Sequence, residues 1–228
     1  MDDVFDCPLP SDKAPGIGHN SGGMSGAIQK SMAKWIRKPA DLYPTPPDVT
    51  ISLLHYIQDL LPPGRCVLEP ACADGQMSKV LLDFGYNVAS TDLRPDVKFG
   101  KGGVDFLDPA MNYEFDNRGY DAVITNPPFA AAADFIRRAL EIAPFVAMLL
   151  KAQYWNTDNR KKLFRETKPY LELNLTWRPA FLEAERGKSP LMDCMWMVWV
   201  RGHDDLPKVD ILDRHFTLPL TEESFGGL

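Results

Sequence analysis

A chain of 228 residues has room for one good hydrophobic core and little for a second domain. Its 45% hydrophobic and 25% charged content is ordinary for a soluble globular protein, and no apolar run approaches the roughly 20 residues of a membrane span. A net charge of −6 argues against coating nucleic acid by bulk electrostatics, so any nucleic-acid site must come from local clusters.

Residues 1–25 are rich in Gly, Ser, Pro and Asp and cannot bury a core. They read as a flexible arm ahead of one domain over 26–228. Met1-Asp2-Asp3 begins no basic-then-apolar leader, so the sequence predicts a cytoplasmic protein. Cys7, Cys66, Cys72 and Cys194 lack paired ligand spacing, which argues against zinc and against a disulfide framework. A helix is predicted over 24–37, with Trp35 among Lys30, Lys34, Arg37 and Lys38. Another is predicted from Pro47 to Leu60, opened by proline and closed before Pro62-Pro63-Gly64.

Strand-helix units are predicted over 65–84, 87–99 and 120–143. In the first, Val67 to Glu69 reads as a buried strand running into Pro70-Ala71-Cys72-Ala73-Asp74-Gly75. In the second, Asn87 to Thr91 ends in Asp92, with Leu93 beside it. Strand, tight loop, helix and a second strand with a terminal carboxylate form the first half of a nucleotide-binding sheet, where that carboxylate holds ribose hydroxyls. The loop carries the Glu69 carboxylate, which would repel a pyrophosphate but favour an ammonium. The ligand therefore reads as S-adenosylmethionine rather than NAD.

In the third unit, Ala122 to Thr125 feeds Asn126-Pro127-Pro128-Phe129. An exocyclic amine is a poor nucleophile because its lone pair is delocalised. A side-chain amide oxygen from Asn126 and the Pro127 carbonyl can accept its two N–H groups and free that pair. Pro127-Pro128 stiffens the turn, and Phe129 offers a face for a planar base. On its own the tetrapeptide also fits a surface turn. Further strands are predicted over 145–150, 171–176 and 195–200.

Together these motifs resemble those of the class I S-adenosylmethionine-dependent methyltransferases, most closely the DNA adenine-N6 enzymes of small, phage-like form. Glu69 to Gly75 resembles their Asp/Glu-Pro-Ala-Cys-Gly-x-Gly loop, with Ala73 where glycine is usual. Asp92 matches the ribose ligand, Asp105-Phe106 the motif at the cofactor adenine, and Tyr43-Pro44-Thr45-Pro46 the segment closing over the methionine end. The resemblance implies a doubly wound α/β, Rossmann-like fold with a mostly parallel seven-stranded sheet, the last strand antiparallel. It implies methyl transfer to the N6 amino group of adenine, most readily in double-stranded DNA with base flipping, and no metal.

The implied cofactor set is Tyr43, Thr45, Pro46, Glu69, Pro70, Ala71, Cys72, Asp74, Gly75, Asp92, Leu93, Asp105, Phe106 and Asn126. Trp177 or Phe181 would face the flipped base opposite Phe129. From Lys151 to Pro190 nine basic residues stand against five acidic ones. Lys161, Lys162, Arg165, Arg178 and Lys188 are accordingly expected on nucleic-acid phosphates. Adenine N6 in RNA, protein glutamine, cytosine N4 and an inactive binding subunit of the same fold are the alternatives.

Overall fold

The computed structural model describes residues 44–111, 115, 118–181, 190 and 192–219. The expected arm over 1–25 and the helix over 24–37 lie outside them. Helix α1 (Pro47–Ile57) opens with proline at its first position, where the missing N–H would have no partner anyway. Strand β1 (Cys66–Glu69) runs through the glycine turn into α2 (Gln76–Asp83), and β2 (Asn87–Ser90) follows. Then come β3 (Ala122–Thr125), α3 (Ala132–Ile142), β4 (Phe145–Lys151), α4 (Asp158–Thr167), β5 (Leu171–Leu175), β6 (Cys194–Val200) and β7 (Lys208–Leu212). None of the helices among these residues is long and apolar enough to cross a membrane.

One sheet takes all seven strands in the order β2-β1-β3-β4-β6-β5-β7. β1 pairs in parallel with β2 and β3, and β3 with β4. Strand β6 enters antiparallel between β4 and β5, and β7 lies parallel outside β5. The sheet is thus mixed. The antiparallel strand is the Met195–Val200 segment expected to be last, but the chain adds β7 after it.

Both faces are covered, so the central strands are apolar on both sides. Along β4, Phe145, Ala147 and Leu149 face α1 and α2, while Val146, Met148 and Leu150 face α3. Helix α3 meets the sheet through Phe135, Ile136, Ala139 and Ile142, one stripe at helical spacing. Trp196 and Trp199 are core residues, donating to the Val49 carbonyl and to Thr167. Cys72 and Cys194 are free and buried, and Cys66, at the start of β1, packs partly buried against the core.

The helix expected before Phe99 is absent. Pro95 and Gly100 leave only four residues between them, about one helical turn and too little for a stable nucleus. The chain instead loops round so that Lys101 bridges to Thr91 in parallel. At the far edge, residues 210–217 strap onto α1. Arg214 pairs with Asp48 at 2.7 Å, the His215 N–H donates to Ser52, and the His55 and His215 rings stack at 3.8 Å.

Candidate active site

From β1 the chain moves to β2 on one side and later returns to β3 on the other, so a crevice opens at the carboxyl ends of β1 and β3. Glu69 ends β1 and Asn126 follows β3. Between them lies a narrow cleft of about 20 Å³ lined by Pro44, Thr45, Glu69, Ala71, Cys72, Ala73, Gln76, Met77 and Asn126. The fold therefore gathers Thr45, Glu69, Ala71, Cys72 and Asn126 from three separate motifs. Gln76 and Met77 line the cleft without having been singled out in sequence. They are the first two residues after Gly75, where the loop becomes α2.

The loop is held under torsional constraint. Ala73 sits at φ 51° and Gly75 at φ 76°, both left-handed. A Cβ on Gly75 would lie 2.3 Å from the Phe99 ring, so glycine is what allows Phe99 to pack over the loop. The Cys72 N–H donates to the Thr91 carbonyl at 2.9 Å, and the Ala73 N–H to the Asp92 carboxylate at 2.8 Å. The loop is thereby stitched to the end of β2.

Glu69 is only 2% exposed. Its carboxyl accepts the Ser78 hydroxyl, which in turn meets Ser90 at 2.7 Å. Burial raises its pKa to about 8, against the lowering effect of Ser78. The group therefore holds its proton at neutral pH until a cation comes beside it. The Cys72 thiol is pushed up to about 12 by burial and by the neighbouring Glu69, so it is no thiolate nucleophile.

Asp92 uses one oxygen for Ala73 and the other for the Arg94 N–H at 2.9 Å and the Arg94 side chain at 3.3 Å. A carboxylate has about four lone-pair sites, so acceptor capacity for a hydroxyl remains. Asp105 accepts the Leu107 N–H at 2.9 Å. Phe106, expected at the cofactor adenine, is 2% exposed and packs with Phe115 and Phe135 in the core. Pro46 caps α1, Pro70 is buried, Asp74 and Leu93 are half-buried, and Tyr43 lies outside the described residues.

Asn126 donates its amide N–H to the Thr45 hydroxyl at 3.1 Å. That bond orients the amide, because its nitrogen side is committed to the segment just before α1. Pro127 is buried, and the Pro128 carbonyl accepts the Ala131 N–H at 2.9 Å, turning the chain into α3. The Phe129 ring lies beneath the Lys151 ammonium, 4.4 Å from its centroid.

The residues expected on substrate separate. Phe181 is 5% exposed inside the core and offers no face to a base. Trp177 packs against that core with Arg214 over its ring at 5.5 Å. Arg178 is paired with Asp193 at 2.7 Å, and Lys162 with Glu166 at 3.6 Å, so neither is held ready for a phosphate. Lys161 and Arg165 are exposed on α4, and Lys188 lies outside the described residues.

No protein-family model matches the sequence. No curated protein matches it either. Solved structures match in shape. A candidate class I S-adenosylmethionine-dependent methyltransferase from Listeria monocytogenes superposes with a TM-score of 0.55 at 12% identity, over 81% of this chain and 70% of that one. The chain has the fold of class I methyltransferases. A candidate RNA methyltransferase from Pyrococcus horikoshii gives a TM-score of 0.54 at 19% identity, over 76% of this chain and 98% of that one. The modification subunit of a candidate type I restriction enzyme from Vibrio vulnificus YJ016 gives 0.53 at 12% identity, over 79% of this chain and 49% of that one. At such identities the methyltransferase likeness is one of fold.

Proposed function

We propose that this chain transfers a methyl group from S-adenosylmethionine to the N6 amino group of adenine in DNA. One observation carries the reading: the Asn126 amide, oriented by Thr45, stands across a strand-end cleft from the buried Glu69 carboxyl. The cofactor suits these residues. A buried carboxyl with a raised pKa gains most from an ammonium neighbour, and Asp92 keeps acceptor capacity for a ribose hydroxyl. S-adenosylmethionine, when bound, supplies an electrophilic methyl group.

The side-chain oxygen of Asn126 and the Pro127 carbonyl accept the two N–H groups of the target amine. That frees its lone pair for the methyl group that S-adenosylmethionine would supply, with one amine proton released to water. Phe129 holds the base by stacking, once the Lys151 ammonium slides from its face. Catalysis is positioning more than proton transfer. At about 20 Å³ the cleft is far below the roughly 300–1,000 Å³ of small-ligand sites, so it must widen to admit the cofactor.

Among the structural neighbours, one is described as acting on RNA and another as a restriction-modification subunit, so the substrate pool is the point to test. Tritiated methyl transfer to DNA, RNA and protein, followed by nucleoside analysis, should place the label in N6-methyladenine from DNA. Label only in protein or RNA would overturn the DNA reading. No label in any pool, with S-adenosylmethionine bound, would favour a binding subunit.

A further inference from the structure

Helix α4 leaves an open cavity of about 690 Å³ along its exposed side, lined by Trp155, Asp158, Lys161, Phe164, Arg165 and Glu172 among others. That volume falls within the roughly 300–1,000 Å³ range of small-ligand sites. Trp155 and Phe164, whose rings meet edge to face at 4.9 Å, both line it and give it an aromatic surface; Trp155 also meets Tyr154 at 5.0 Å.

The charges around the cavity are sorted. Arg160 is turned back onto the Tyr154 carbonyl and ring, Lys162 is paired with Glu166, and Lys168 with Asp204 at 2.6 Å. Lys161 and Arg165, one helical turn apart, have no ion-pair partner among the described residues, and both line the cavity. Asp158, on the same face of α4 as Lys161 and Arg165, and Glu172 of β5 share that lining. A run of phosphates would meet those two carboxylates. A single nucleotide meets both signs favourably, with its phosphate at Lys161 and Arg165 and the amino edge of its base toward Glu172.

The cavity also borders the candidate active site. Lys151, over the Phe129 ring, is four residues before Trp155, a span of at most about 14 Å of chain. At about 3.4 Å per nucleotide, that is some four nucleotides of one strand.

We propose that this cavity binds one unpaired nucleotide of the same strand, flanking the target base, with its base stacked on Trp155 and Phe164. The proposal rests on the nucleic-acid reading above but concerns binding, so it is measured apart from methyl transfer. Affinity of the full chain for a single-stranded oligodeoxynucleotide and for its abasic counterpart should be followed against salt. The base-bearing strand should bind roughly 5- to 150-fold more tightly than the abasic one, the range expected for one stacked base. Trp155→Leu should remove that preference. Lys161→Ala with Arg165→Ala should flatten the slope of log affinity against log salt by about 0.7, one phosphate on a single strand, and Lys162→Ala should leave it unchanged. An unaltered slope in the folded double variant, or equal affinity for base-bearing and abasic strands, would overturn the proposal even if methyl transfer to DNA is found. Loss of methyl transfer with these binding differences intact would instead overturn the catalytic reading alone.

Discussion

The Asp92 carboxylate accepts the backbone N–H of Ala73 at 2.8 Å, so the end of β2 grips the non-glycine residue that the loop holds at φ 51°. The two positions are 19 residues apart in sequence. The grip helps to hold an L-residue in a conformation that favours glycine.

Replacing Ala73 by Gly should therefore stabilise the protein by about 1 kcal/mol, the relief of left-handed strain exceeding the added entropy of the unfolded chain. For a chain of this size that is a rise of roughly 2–4 °C in Tm by calorimetry. An unchanged or lower Tm would mean that the loop carries no strain at Ala73.

Gly75→Ala should act in the opposite sense. Its Cβ would meet the Phe99 ring at 2.3 Å at a φ of 76°, so strain and overlap add. A loss of about 1–3 kcal/mol in denaturant unfolding is expected. If Phe99→Ala in the same chain restores part of that loss, the overlap with the ring is the cause.

Glu69 sets a pH dependence. Its folded-state pKa of about 8 lies above the usual 4.5, so the folded protein binds the extra proton. The stability that this proton contributes is full below pH 4.5 and is lost as pH rises through 8. Stability without cofactor should fall over that window, by up to about 1.4 kcal/mol per pH unit, and Glu69→Gln should flatten the fall. Binding of S-adenosylmethionine places a cation beside the carboxyl and should expel its proton. Calorimetry at pH 7 in buffers of different ionisation enthalpy should show close to one proton released by the native chain and none by Glu69→Gln.

Asn126→Ala should abolish detectable methyl transfer while cofactor affinity changes little, because Asn126 is assigned to the target amine. Thr45→Val keeps Asn126 but removes the hydroxyl that orients it. It should lower kcat by roughly 10- to 100-fold, the scale on which small misplacements act. Equal kcat in Thr45→Val and the native chain would show that the bond is incidental.

The sheet was largely legible because its strands are continuous apolar runs: 122–125, 145–150 and 195–200 read directly as buried β. Strand β7 escaped notice because Val209 and Ile211 stay 62% and 65% exposed, so its alternation signals no core. The 87–99 unit reads as strand plus helix, but Pro95 and Gly100 bracket too few residues to nucleate the helix. At the site, strand-end motifs located Glu69 and Asn126, whose positions follow from parallel topology. Side-chain commitments were less legible. Phe106 and Phe181 went to the core and Arg178 to Asp193, through neighbours brought close only by the fold, whereas the Lys162–Glu166 pair is an i,i+4 contact within one helix.

The strap from residues 210–217 onto α1 also has a consequence for the order of assembly. Arg214 and Asp48 are 166 residues apart, so this contact closes a loop that nearly encircles the described chain. During synthesis the Rossmann-like half through β4 can condense early, from neighbouring strands and helices. Helix α1 already packs on α2 and β4 within that half, so the cleft and the Thr45–Asn126 bond can form with it. A nascent chain would then gain the cleft first, and the strap across the outer side of α1 only when the residues around 214 leave the ribosome.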